Sequence, residues 1–293
     1  MWETLRGDRQ RPRPLMTFPP ELIDRILKYL RDDPQSLSAA SLVSTAWASW
    51  GQAYLFESVH LAPPNLQRWV ENVSPDVDGP ASYTRTLTLE EYRLSPWINP
   101  QSSDFPLSNL TSFSNVRSLT LIQWNATLFN GGSSEPHFGH FGKSLGALSL
   151  RFCTLEPATL FNFFSLLPNV QDLEIACPSP HSGSFDTAPD VPEVTPSFHG
   201  TLSLADLNSD HPVLKAVAAL PLHFTTISIR GCTFYEPEAY QMLLTGCRHT
   251  LVTLRFEGSY RGVLGNCRDS SNLSLLFHTP RSARSRRLIS LLR

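Results

Sequence analysis

The sequence predicts an α/β chain: a small all-α segment at the N-terminus, then a longer solenoid of short parallel strands and helices. Three observations carry that expectation. A helical apolar pattern fills residues 18–47. Beyond residue 80, a pattern of apolar-x-x-apolar-x-apolar recurs seven times, whole or in its second half. Helical stretches fall between several of those recurrences, so each unit reads as strand, turn, helix.

At 293 residues the chain has room for a small domain and a larger one, and 41% hydrophobic with 17% charged residues is an ordinary globular composition. Twenty-four prolines fit many turns between short elements. No apolar run reaches the ~18 residues of a membrane helix, and the first thirty residues lack a signal-peptide core, which places the chain in the cytosol or nucleus. The five cysteines are then expected as free thiols. Residues 281–293 hold five arginines and no acid, so the remainder has 24 − 5 = 19 basic against 26 acidic residues, a net of −7. An acidic body argues against nucleic-acid binding.

Residues 1–15 are read as a disordered N-terminus. Thr17 is expected to cap a first helix opening at Pro19 or Pro20, where proline's missing N–H costs nothing, and Glu21 suits the positive end of the helix dipole. Leu22, Ile23, Ile26, Leu27 and Leu30 form its apolar stripe. "RDDP" ends this helix and starts a second one, with Asp33 as cap and with Leu37, Ala40, Val43 and Trp47 expected on one face, Leu42 beside it. A third short helix is expected over 47–56. About forty residues cannot bury that much apolar side chain among themselves. The surplus belongs either against the rest of the chain, as a cap, or against another protein.

"FPPELIDRILKYL…SLSAASLVSTAW" resembles an F-box. Phe18-Pro19-Pro20-Glu21-Leu22 stands where that family has Leu-Pro-x-Glu-Leu/Ile; Ile26, Leu27 and Leu30 match its first helix; Leu37 and Val43-Ser44-Thr45-Ala46-Trp47 match its second, with Ser44 and Thr45 where Cys and Arg are commoner. "YLFESVHL" (54–61) is similar to the exit segment of many fungal F-box proteins. The resemblance covers residues 18–60, and an F-box domain is expected over 16–60. It implies binding to the Skp adaptor of a cullin–RING (SCF-type) ubiquitin ligase through Phe18, Pro19, Leu22, Ile26, Leu27, Leu37, Val43 and Trp47, with Trp47 as anchor.

The recurring strand pattern has central residues Leu87, Leu119, Leu148, Leu173, Leu202, Ile227 and Leu254, separated by 32, 29, 25, 29, 25 and 27 positions. That spacing predicts a leucine-rich-type solenoid over 80–276. "LSLRFCTLEPA" and "ISIRGCTFYEPEA" share Arg, Cys, Thr and Glu-Pro in order, and Cys153 and Cys232 are expected buried and bonded to loop backbone. Helices are expected over 157–169, 210–221 and 236–247, and a Pro-rich extruded loop over 177–197. Period two sends alternate strand residues to an outer, concave face. Arg151, Asp172, Glu174, Arg230, Arg255 and Glu257 on that face are the expected contacts to a protein substrate.

No phosphate-binding Gly loop, nucleophile elbow or metal-binding His-Glu-x-x-His helix occurs. His137 and His140 read as parts of a Gly-rich loop, Cys247 and His249 lack further ligands at zinc-site spacing, and Cys153, Cys177 and Cys232 read as buried structural thiols. The expectation is therefore a non-catalytic receptor with no cofactor or metal, no membrane contact, and a basic tail at 277–293. The alternative is a non-catalytic scaffold whose N-terminal helices only cap the solenoid.

Overall fold

The computed structural model describes residues 18–73, 79–91, 107–124, 138–155, 157–176, 198–207, 211–231, 238–257 and 277–278. The chain divides into two units, 1–55 and 56–293.

The first unit is three helices, α1 (Pro20–Tyr29), α2 (Pro34–Ser41) and α3 (Thr45–Leu55). Pro19 occupies the N-cap position of α1 and its carbonyl accepts from the Leu22 and Ile23 amides; Thr17 lies outside the described residues. Asp33 caps α2, one carboxylate oxygen accepting from the Gln35 and Ser36 amides at 3.1 Å and the other from the Ser36 hydroxyl at 2.6 Å. The expectation that Val43 and Trp47 share the second helix with Leu37 is overturned, while the third helix expected over 47–56 is present. α2 stops at Ser41, Val43 sits in the connection, and Trp47 belongs to α3. The reason is a local competitor: the Ser44 hydroxyl accepts from the Trp47 amide at 3.4 Å, which starts a new helix at Thr45. Ile23, Leu27 and Leu37 are buried together, with Leu30, Ala40, Trp47, Tyr54 and Leu55 packed around them. Tyr54 ties α3 to α1 by donating to Asp24 Oδ1 at 2.7 Å.

The second unit is a nine-stranded sheet in which each strand pairs with its neighbours in sequence. The strands are β1 (Ser58–Leu61), β2 (Thr86–Glu90), β3 (Ser118–Ile122), β4 (Ala147–Arg151), β5 (Asp172–Ala176), β6 (Phe198–Ala205), β7 (Leu222–Arg230), β8 (Thr253–Glu257) and β9 (Phe277–His278). β1 to β8 are parallel, and β9 is antiparallel to β8. The seven central residues of the spaced pattern fall in one register row, Leu87↔Leu119↔Leu148↔Leu173↔Leu202↔Ile227↔Leu254. All seven are buried, as are Leu89, Leu121, Leu150, Ile175, Leu204 and Ile229 two positions on. The sheet also begins earlier than the spacing predicts, because β1 continues both rows with Val59 and Leu61.

Helices α4 (Pro63–Asn72), α5 (Pro157–Ser165), α6 (Pro212–Ala218) and α7 (Glu238–Gly246), with short 3-10 turns at Pro80–Tyr83, Leu107–Ser112 and His140–Lys143, connect successive strands. α5 to α7 lie inside the three stretches expected to be helical, whereas α4 carries no such expectation. Aromatic rings fill the space behind the sheet: Trp69 stacks on Phe113 at 5.5 Å, and Phe198 meets Phe164 at 5.0 Å and Phe224 at 6.0 Å. Several strands are followed directly by a residue with positive φ, namely Gln123, Phe152, Asp206 and Gly231, and in the first three cases the next side chain, Trp124, Cys153 or Leu207, is buried. Trp124 Nε1 donates to the Leu89 carbonyl at 3.1 Å, and Cys153 Sγ lies 3.4 Å from the Leu121 carbonyl, so each reaches back to the strand before. Cys232 and the 177–197 loop lie outside the described residues. Gly200 sits at a register shift with φ 87°, where a Cβ would stand 2.5 Å from the Gln171 carbonyl oxygen; no other residue fits there.

Candidate functional site

Two surfaces gather exposed side chains that sequence reasoning singled out, one on each unit. On α1, successive residues turn by about 100°. Ile23, Leu27 and Leu30 therefore centre on the direction of the helical core, while Leu22, Ile26 and Tyr29 lie on the adjoining flank. The apolar stripe is wider than the part its own unit covers. Leu22 is 41% exposed, Phe18 51%, Val43 66% and Leu42 85%. Ile26 and Trp47 are half-buried and Pro19 is exposed. The Phe18 and Trp47 rings meet edge to face at 6.1 Å, which fixes the chain entering α1 against α3.

Leu27 and Leu37 are corrected by this geometry. Both are completely enclosed among the helices, so they hold the unit together and offer no surface to a partner. Sequence reasoning grouped them with the exposed positions because the pattern marks a stripe without saying how much of it the neighbouring helices cover. Tyr29, Leu42 and Trp50, which the resemblance did not place among the adaptor contacts, are exposed as well.

The second surface is the outward face of the sheet. Its middle row runs His60, Thr88, Thr120, Ser149, Glu174, Ser203, Ser228, Arg255, and the row beyond it runs Glu90, Ile122, Arg151, Ala176, Ala205, Arg230, Glu257. Glu174 is the hub. Its Oε2 accepts from the Ser149 hydroxyl at 2.7 Å and from Arg151 at 2.8 Å, and its Oε1 lies 3.7 Å from the Arg230 guanidinium. Arg151 also donates through Nε to Ser149 at 3.1 Å. β5 and β7 are two strands apart, roughly 10 Å. Arg230 spans that gap because β6 presents only Ser203 and Ala205 between them. Burial is the largest influence on the Glu174 carboxyl and pushes its pKa up. The hydrogen bonds from Arg151 and Ser149 and the charges of Arg151 and Arg230 outweigh burial and leave the group below its usual value.

The three arginines expected on this face are not equivalent. Arg151 and Arg230 converge on one carboxylate, while Arg255 is exposed on β8 outside that cluster. Asp172 is exposed one row away from Glu174 on the same strand. The side chain of Glu257 lies outside the described residues. Ala176, expected to face out, is nearly buried. At the far end of the face a hydrogen bond that sequence reasoning missed joins His60 Nε2 and Glu90 Oε2 at 2.8 Å across β1 and β2.

No protein-family model matches the chain, and no curated protein matches it.

Among the described residues the two thiols, Cys153 and Cys247, offer no nucleophile. Burial pushes Cys153 up to about 12 and Cys247 up to about 11, so both stay protonated at neutral pH. Cys177 lies outside the described residues. His249 Nε2 is engaged by Arg248 Nε at 2.8 Å, and the His140 ring packs on Phe141 with centroids 3.9 Å apart; His137 lies outside the described residues. Among the described residues no three His, Cys, Asp or Glu side chains are grouped to hold a metal. No helix among them is long and apolar enough to cross a membrane.

Proposed function

We propose that the chain is a substrate receptor of an SCF-type ubiquitin ligase, docking the Skp adaptor through its helical unit and a protein substrate through the sheet unit. The observation that carries this reading is the uncovered flank of α1 together with Phe18, Leu42 and Val43: apolar side chains left exposed by a unit that encloses Ile23, Leu27 and Leu37. Large exposed apolar surface on an otherwise well-packed unit marks a protein interface, and anchors of this kind dominate interface energy.

The same reading takes the sheet unit as a leucine-rich-repeat-like solenoid. It is supported by strands paired strictly in chain order, by the single register row of central residues, and by the recurrence of a positive-φ residue followed by a buried one at the strand ends. Substrate contacts are assigned to the outer face around Arg151, Glu174, Arg230 and Arg255. The receptor supplies proximity, while cullin and RING partners and a conjugating enzyme supply the chemistry. Co-expression of the full chain with a Skp adaptor tests the docking step. A stable complex that survives size-exclusion chromatography is expected, and its loss on Val43→Asp, with helicity unchanged, assigns the contact to this face. Failure to form any complex removes the proposal.

A further inference from the structure

The chain's basic residues are chemically lopsided. Its 24 basic residues comprise three lysines, Lys28, Lys143 and Lys215, and 24 − 3 = 21 arginines. Arginine is the residue of choice where a planar fork must grip a carboxylate, and Arg151 does so with Glu174. Arg230 lies against the same carboxylate, but the explanation does not extend to every arginine. Arg25, Arg68, Arg85, Arg117 and Arg255 are exposed, and among the described residues their guanidiniums make neither an ion pair nor a hydrogen bond. Lysine would serve solubility equally well at each of these five positions. What it would add is a primary amine.

An amine matters for a protein held beside an activated acyl donor. A free lysine Nζ attacks the thioester carbonyl of ubiquitin carried on the cysteine of a conjugating enzyme. The new N–C bond forms as the C–S bond breaks, the cysteine leaves as thiolate, and the amine's proton passes to solvent. A guanidinium, protonated at all accessible pH, cannot do this. Proximity makes any exposed amine within reach an acceptor, the receptor's own included. We infer that this chain is built as a poor ubiquitin acceptor, with side-chain self-modification confined to the exposed amines of Lys28, Lys143 and Lys215 and limited by their number. This rests on the receptor role proposed above.

The test uses the full chain assembled with Skp adaptor, cullin, RING protein, activating and conjugating enzymes, ubiquitin and ATP. Co-elution of the assembly is scored first, so that a failure of the receptor role is seen separately. Three proteins are then compared for ubiquitin incorporated into the chain: wild type, K28R/K143R/K215R, and R68K/R85K/R117K. The first variant is expected to lose most incorporation. The second, with six exposed lysines in place of three, is expected to gain roughly twofold or more in initial rate. Thermal melts matching wild type confirm that each variant is folded. An assembled complex in which added lysines leave incorporation unchanged, or in which removing all three lysines leaves it at the wild-type level, overturns the inference.

Discussion

Truncating Phe18, Leu22 and Val43 together to alanine should separate docking from folding. Complete burial of such a side chain is worth about 2–3 kcal/mol, and the share still open to a partner is 51%, 41% and 66% respectively. Scaling one by the other gives roughly 1–1.5 kcal/mol each and about 4 kcal/mol together, which at 1.4 kcal/mol per decade weakens adaptor binding by about a thousandfold. The three side chains contribute little to the helical core, where Ile23, Leu27 and Leu37 are the enclosed residues, so the far-ultraviolet circular dichroism of the variant should match that of the wild type. Titration calorimetry of the full chain against purified adaptor reads the change. An affinity within about threefold of wild type, in a variant with native helicity, would refute the reasoning, because the exposed flank would then contribute nothing to binding.

Other perturbations separate interior from surface. Leu27→Ala opens a cavity in a small core and should cost about 2–5 kcal/mol of local stability; hydrogen exchange over 20–55 should accelerate while that of the sheet stays unchanged. Glu174 has a depressed folded-state pKa, so its contribution is present above its unfolded value near 4.5 and is lost as pH falls through the lowered folded value. Glu174→Gln should therefore reduce stability at pH 7 and flatten the loss of stability below pH 4.5, as read from melting temperature against pH. Thr84 is fully buried and its hydroxyl has no hydrogen-bond partner among the described residues, so Thr84→Val should raise stability by about 1 kcal/mol in a urea titration.

The features legible in the sequence were those fixed by short-range pattern. Pro19-Pro20 followed by a stripe at helical spacing defines α1, and alternating leucines define each strand of the register row because one side of every strand must be buried. What stayed hidden depended on competition or on long-range register. Ser44 accepts from the Trp47 amide, so Trp47 opens the third helix and does not close the second. β1 has only Val59 and Leu61 as its apolar pair, too short a run to declare a strand without its neighbour β2. α4 opens with two prolines and places Leu66 and Trp69 three apart, a signal that was present but overshadowed by the repeat spacing. The Glu174 cluster joins three separate strands, and no local pattern states that β6 will offer only Ser203 and Ala205 beneath Arg230.

The contrast between the two cores carries a further consequence. The helical unit encloses three apolar residues, Ile23, Leu27 and Leu37, whereas the sheet unit encloses two continuous rows and the aromatic layer behind them. Small cores leave most of their surface wet and open readily. A unit of that kind gains stability from whatever binds only its folded form, by about 2.7 kcal/mol at a ligand concentration a hundred times the dissociation constant. The amides of α1 to α3 are therefore expected to exchange faster than those of β3 to β7 in the isolated chain, and to slow by about two orders of magnitude with adaptor at that excess, while the sheet amides stay unchanged. Equal protection of the two units without adaptor would show that the helices are completed by their own chain, and the exposed flank of α1 would then lose its meaning as a docking face.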